Sequence, residues 1–198
     1  MRSHAVEYTV TNSAGNTTGG ALFSGEIGIP YSRRTLTVST HFIWRVFHQK
    51  APEDRKSVEK VSLFIENMEG LVATYLGGFS GDVKREFTGI LYHEMAHVWQ
   101  WDGDRQAPEG PIRGIADFVR LRSVYVPGHW VGPGQGDRWD QDHGVTARFL
   151  DYCNGLRNGF VAELNKKIRT GYSDGYFVDL LGNSIDQLWK DYKAKYAT

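Results

Sequence analysis

From residue 6 to residue 12, apolar and polar side chains alternate, the period of a strand with one buried face. Glycines and small polar residues crowd positions 12–20 and predict a turn-rich connection. After Pro30 the period changes. Leu36, Ile43, Val46 and Phe47 recur at helical spacing and predict a helix over residues 32–48. A charged loop, 52–60, leads to a second strand at 61–65, and the short segment 71–78 ends in Gly-Gly and reads as a curtailed strand or hairpin. The next helical pattern spans 80–101, with Val83, Phe87, Ile90, Leu91 and Val98 as its inner face. A loop at 102–111 separates it from a helix at 112–124. A glycine-rich loop with Pro127 and Pro133 then fills 126–144. Three helices close the chain, at 145–156, 160–168 and 184–195, the last opened by a capping box of Ser184 and Gln187. Strands first and helices afterwards predict an α+β fold.

Composition narrows the class. A chain of 198 residues without repeats suits one domain, here residues 6–198 after an extension at 1–5. The 23 basic and 23 acidic residues balance, which argues against a nucleic-acid surface. No apolar run is long enough for a membrane span. Six Trp, ten Tyr and ten Phe are a heavy aromatic load, suited to a packed core or to a cleft for a peptide or small molecule. Cys153 has no partner for an intrachain disulfide and reads as a buried helical residue. Residues 1–4 lack the apolar core of a signal peptide, and a monomer is expected.

The candidate chemistry lies at 93–97, His-Glu-Met-Ala-His, inside the 80–101 helix. At about 3.6 residues per turn, His93 and His97 project from one face, one turn apart. Two neutral imidazoles so placed can grip one zinc ion, with Glu94 beside them as a base for the attacking water.

The surrounding sequence carries more than the motif. The segments Gly89-Ile-Leu-Tyr-His-Glu-Met-Ala-His-Val-Trp-Gln-Trp101, Gly114-Ile-Ala-Asp-Phe-Val-Arg-Leu121, His129-Trp130-Val131 and Arg138-Trp-Asp-Gln141 resemble the plant basic secretory proteins, or basic secretory proteases. So do Val145-Thr-Ala-Arg-Phe-Leu-Asp-Tyr-Cys153 and Asn158-Gly-Phe-Val-Ala-Glu-Leu-Asn-Lys166, and the resemblance runs from residue 6 to residue 196. It implies a zincin-like α+β fold, a small twisted sheet packed on the motif helix with a helical C-terminal half. It also implies a secreted, apoplastic, defence-associated protein with zinc endopeptidase chemistry.

Two departures qualify that implication. The family carries Glu before Gly-Ile-Ala-Asp, by analogy the third zinc ligand, and here the position is Arg113. A guanidinium has no lone pair for a metal and repels one. Residues 70–78 also look shorter than the family's segment, which is expected to flank the cleft and pair with an extended substrate. Asp117, one helical turn beyond Arg113, is a candidate either as replacement ligand or as the carboxylate that orients a ligand histidine. Glu109 is a further ligand candidate, and His129, His143, Tyr125 and Tyr152 are polar candidates for the cleft.

The candidate set is therefore His93, His97 and Asp117 for metal, with Glu94, Arg113, Tyr152 and His129 for catalysis. Without a metal, Arg113 is expected to pair with Glu94 and Asp117 where the ion would sit. Three functional readings stand: a zinc endopeptidase with an impaired site, a metal-free enzyme using Glu94 as acid and base on a small molecule, and a non-catalytic defence or binding protein.

Overall fold

The computed structural model describes residues 5–66 and 79–197. Strand β1, Glu7–Asn12, pairs in parallel with β2, Lys60–Ile65, in a two-stranded sheet whose register sets Val10 opposite Leu63. Parallel neighbours need a long crossover, and helix α2, Gly28–Val46, lies between them in sequence and packs on β1. The segment 71–78 falls outside the described residues. The molecule is α+β and mostly helical.

Several elements depart from the sequence expectations. The connection after β1 holds a helical turn, α1, Thr18–Leu22, capped by the Thr17 hydroxyl, which accepts from Gly20 N at 3.1 Å. A π-helical turn, Phe23–Ile27, carries it directly into α2. One of the glycines that suggested a loop, Gly20, is instead required by close packing. A Cβ on Gly20 would lie 1.7 Å from the Ala14 carbonyl oxygen. Helix α2 starts at Gly28 rather than residue 32, because Pro30 sits in its first turn, where backbone N–H groups have no intrahelical partner.

Helix α3, Val83–Trp99, carries the motif. The Asp82 side chain caps it, accepting from Arg85 N at 2.8 Å. Its buried stripe is Val83, Phe87, Leu91, Met95 and Trp99, with Thr88, Tyr92 and Ala96 beside it. Ile90 and Val98, expected on that inner face, are only half-buried. Steps of four residues from Val83 reach Trp99, and Ile90 and Val98 fall off that row.

Helix α3 lies between α2 and α4, Glu109–Arg122. A buried ion pair, Arg120 to Glu86 at 2.8 Å, ties α4 to α3, and Arg120 Nε donates to the Tyr125 carbonyl at 2.9 Å. Helix α5, His143–Leu156, packs closely along α4. A Cβ on Gly114 would stand 2.2 Å from Thr146 Cγ2, so this contact needs glycine. Helices α6 (Phe160–Lys167), α7 (Gly175–Leu181) and α8 (Ile185–Lys195) complete the chain. Helix α7 had no sequence signal, since it is seven residues long and buries one side chain, Phe177.

Much of the aromatic load is buried or packs partly buried against the core. Phe149 lies against Phe177, Trp189 and Tyr192, with Phe160 next to Phe177. No described helix is long and apolar enough to cross a membrane.

Candidate active site

Three helices meet at one buried carboxylate. Asp117 is on α4, His93 on α3, and His143 is the first residue of α5. The Asp117 side chain is 2% exposed. Its Oδ1 accepts from His93 Nδ1 at 2.5 Å, and its Oδ2 from His143 Nδ1 at 2.6 Å. A carboxylate offers only acceptors, so both imidazoles carry their proton on Nδ1 and turn Nε2 away. Burial alone would raise the Asp117 pKa, but the bonds from His143 and His93 overcome it and hold the group below its ordinary value. The same bond raises the pKa of His143.

The chain of contacts continues along α3. His97 Nε2 lies 3.1 Å from His93 Nε2. The Gln100 amide nitrogen lies 3.2 Å from His97 Nδ1 and donates to the Ile112 carbonyl at 3.1 Å. That carbonyl fixes which end of the amide faces His97. Turning the amide over would set two oxygens against each other. An amide nitrogen only donates, so His97 Nδ1 accepts and its proton is on Nε2, which donates to His93. Donors therefore run from Gln100 through His97 and His93 to Asp117. Burial pushes the His97 pKa down to about 4, with His93 and Arg113 adding to the depression.

Glu94 is exposed beside this row. Arg113 departs from expectation. It pairs with Glu109 at 2.7 Å, one turn back on α4, with its side chain 53% exposed, instead of joining Glu94 and Asp117. An exposed i,i+4 pair keeps both groups hydrated, whereas burying the guanidinium would incur desolvation. Arg113 is still close enough to act on His97 through its charge. Tyr152 lies outside the site, nine residues along α5 from His143 and so roughly 13 Å away along the axis. There it stacks on Phe149, adjoins Tyr192 and has Lys195 over its ring. His129 is exposed in the loop before α5. Tyr125 packs against Tyr92, which directly precedes His93 but also meets Phe42 of α2. Gln100 was not singled out from sequence, although its position three residues after His97, at the C-terminal cap of the motif helix, is the signal that could have found it.

A zinc ion can be tested against this donor set. Zinc–nitrogen bonds of about 2.0–2.1 Å at tetrahedral corners put two nitrogens about 3.3 Å apart. The two Nε2 atoms, at 3.1 Å, fit two such corners. Asp117 stands behind His93 on its Nδ1 side, with each oxygen engaged by an imidazole, so the carboxylate orients the His93 and His143 rings. Among the described residues, no group of three or more His, Cys, Asp or Glu side chains is arranged to hold a metal.

The profile of a family described as a peptidase of plants and bacteria matches residues 3–192. The chain belongs to this basic secretory protease family. Among curated relatives, the basic secretory protease of Boswellia serrata is 45% identical over 58 residues, a stretch covering 29% of this chain and 66% of that protein. The chain thus spans just under two thirds of that relative's length. No solved structure matches.

Proposed function

We propose that the chain is a hydrolase of peptide-like bonds with zincin-like chemistry on the α3 face bearing His93, Glu94 and His97, and with a weak two-imidazole metal position. The observation that supports it is the Nε2 pair at 3.1 Å, backed by a buried carboxylate on the far side of His93. His93 and His97 would hold zinc, which supplies Lewis acidity and lowers the pKa of water. Asp117 fixes the His93 ring so that its Nε2 lone pair faces that position. Glu94, exposed at the helix surface, is the base that takes a proton from attacking water. Family membership and the relative's name support peptidase activity, and the word secretory in that name supports export. A role in defence is part of the same proposal and rests on the family resemblance.

With two protein ligands, the metal is expected to bind loosely and activity to depend on added zinc. The test is peptide hydrolysis by dialysed protein, with and without zinc, for wild type and Glu94→Gln. Zinc-stimulated cleavage that disappears in the variant supports the reading, and cleavage unaffected by either change rejects it.

One observation favours a second reading. The amide of Gln100 places the His97 proton on Nε2, the atom a metal would need bare. In that protonation state His143, half-exposed and oriented by Asp117, presents a free Nε2 lone pair and can act as a metal-independent base toward a small substrate. Turnover in chelator that is lost in His143→Gln but kept in Glu94→Gln would select this reading.

A further inference from the structure

At the far end of α2 from its start at Gly28, a cavity of about 400 Å³ opens between the helix and the loop that follows. Trp44 and Gln49 line it together with His41, Arg45, His48, Lys50 and Arg55. Three of these carry fixed positive charge, two are imidazoles, and none is a carboxylate. This is a local excess in a chain whose total charge is zero.

The geometry of the helix end creates the excess. Gln49 N bonds to the Trp44 carbonyl at 2.8 Å and His48 N to the Arg45 carbonyl at 3.2 Å, the paired closure that usually ends in glycine. Here the left-handed position, φ 53°, holds His48, which puts an imidazole at the cavity rim where glycine would leave nothing. Arg55 folds back over the turn. Its Nε and Nη2 donate to the Gln49 and Lys50 carbonyls, both at 3.1 Å, while its guanidinium lies 3.7 Å over the Trp44 ring. Arg55 is thereby rigid, and Arg45 and Lys50 project exposed on either side of the turn.

Two buried polar atoms here have no partner. They are Trp44 Nε1, a donor, and Gln49 Oε1, an acceptor. Gln49 is itself 3% exposed, with its nitrogen committed to the Trp99 carbonyl at 3.1 Å. A buried polar atom left without a partner is costly, so these two mark the wall of this cavity as polar and incompletely satisfied. Among the described residues only one other such atom exists, Gln100 Oε1 in the active site.

We infer that this cavity is a binding site for a phosphate monoester of a small polar molecule, on the α2 side of α3 and separate from the Asp117 cluster, which lies on the α4 side. Arg45, Lys50 and the pinned Arg55 would neutralise a dianionic oxyanion, for which charge-assisted bonds are the strong ones. His41 and His48 on the lining would offer imidazole hydrogen bonds to the ester's hydroxyl-bearing body. A monocarboxylate matches three fixed positive charges less well.

The test is two-dimensional NMR of the full chain titrated with glucose 6-phosphate, inorganic phosphate and glucose. Trp44→Phe identifies the Trp44 indole resonance. A saturable shift of that resonance with glucose 6-phosphate, absent with glucose and weakened at least tenfold in Arg45→Gln/Lys50→Gln, supports the site. Tighter binding of the ester than of inorganic phosphate supports recognition of the ester, and equal affinity overturns the ester in favour of a bare oxyanion. No saturable shift in wild-type protein, or equal affinity in a double variant with an unchanged circular dichroism spectrum, overturns it.

Discussion

His97 Nε2 stands 3.1 Å from His93 Nε2, a separation that suits both a hydrogen bond and two corners of a shared metal. Which of the two is realised depends on the proton on His97, and that proton is set by Gln100 and by the charge nearby. The metal question therefore lies as much with the neighbours of the motif as with the motif.

Arg113→Glu should strengthen zinc binding at least about tenfold, the lower end of what a ligand's supporting partner contributes. Arg113 is one turn before Asp117 on α4, so it lies on the helix face that meets His93. The change removes a charge that disfavours cations and adds a carboxylate. Zinc content after exhaustive dialysis measures it. Equal retention by wild type and variant would reject this role for Arg113.

Asp117→Asn should destabilise the fold by about 1–3 kcal/mol, because an amide can accept from one imidazole but presents N–H groups to the other. Both His93 and His143 now donate to this side chain. Urea unfolding at neutral pH gives the difference. An unchanged midpoint would show that the two bonds contribute nothing net.

Acid sensitivity should follow His97. Its folded-state pKa, about 4, lies below the ordinary 6.5, so between those values the unfolded chain binds more protons. The His97 contribution is fully present above pH 6.5 and is lost as pH falls toward 4. The raised His143 value works oppositely, its contribution being lost as pH rises through that value. Denaturation midpoints across pH 4–7 should slope less steeply in His97→Gln than in wild type, and parallel slopes would contradict the assignment.

Glu94→Gln should lower any zinc-dependent hydrolysis at least about 100-fold, the scale of general-base catalysis. Its side chain is exposed, so stability should move by less than about 0.5 kcal/mol. Comparing turnover with thermal midpoint separates the two effects. Retained turnover would place the base elsewhere, His143 being the first alternative.

The periodicity of residues 83–99 is enough to predict the motif helix and the projection of His93 and His97 from one side of it, because both follow from 3.6 residues per turn. The two strands and most later helices follow from local pattern as well. Helix α1 was hidden because Gly20, which serves close packing against Ala14, sits among glycines that look like turn residues in a sequence. The site partners were less legible. Asp117 was readable only as ligand or support, and His143 only as one polar residue among several. Their convergence spans 24 and 26 residues of sequence from the atoms they meet. Such contacts depend on helix packing, here on how closely Gly114 lets α5 approach α4. Arg113 was expected to pair with Glu94 and Asp117, and its pairing with Glu109 was not foreseen. Local sequence determines which groups a helix presents, whereas the choice between a buried pair with Asp117 and an exposed pair with Glu109 is made by desolvation, which exists only once the helices have packed.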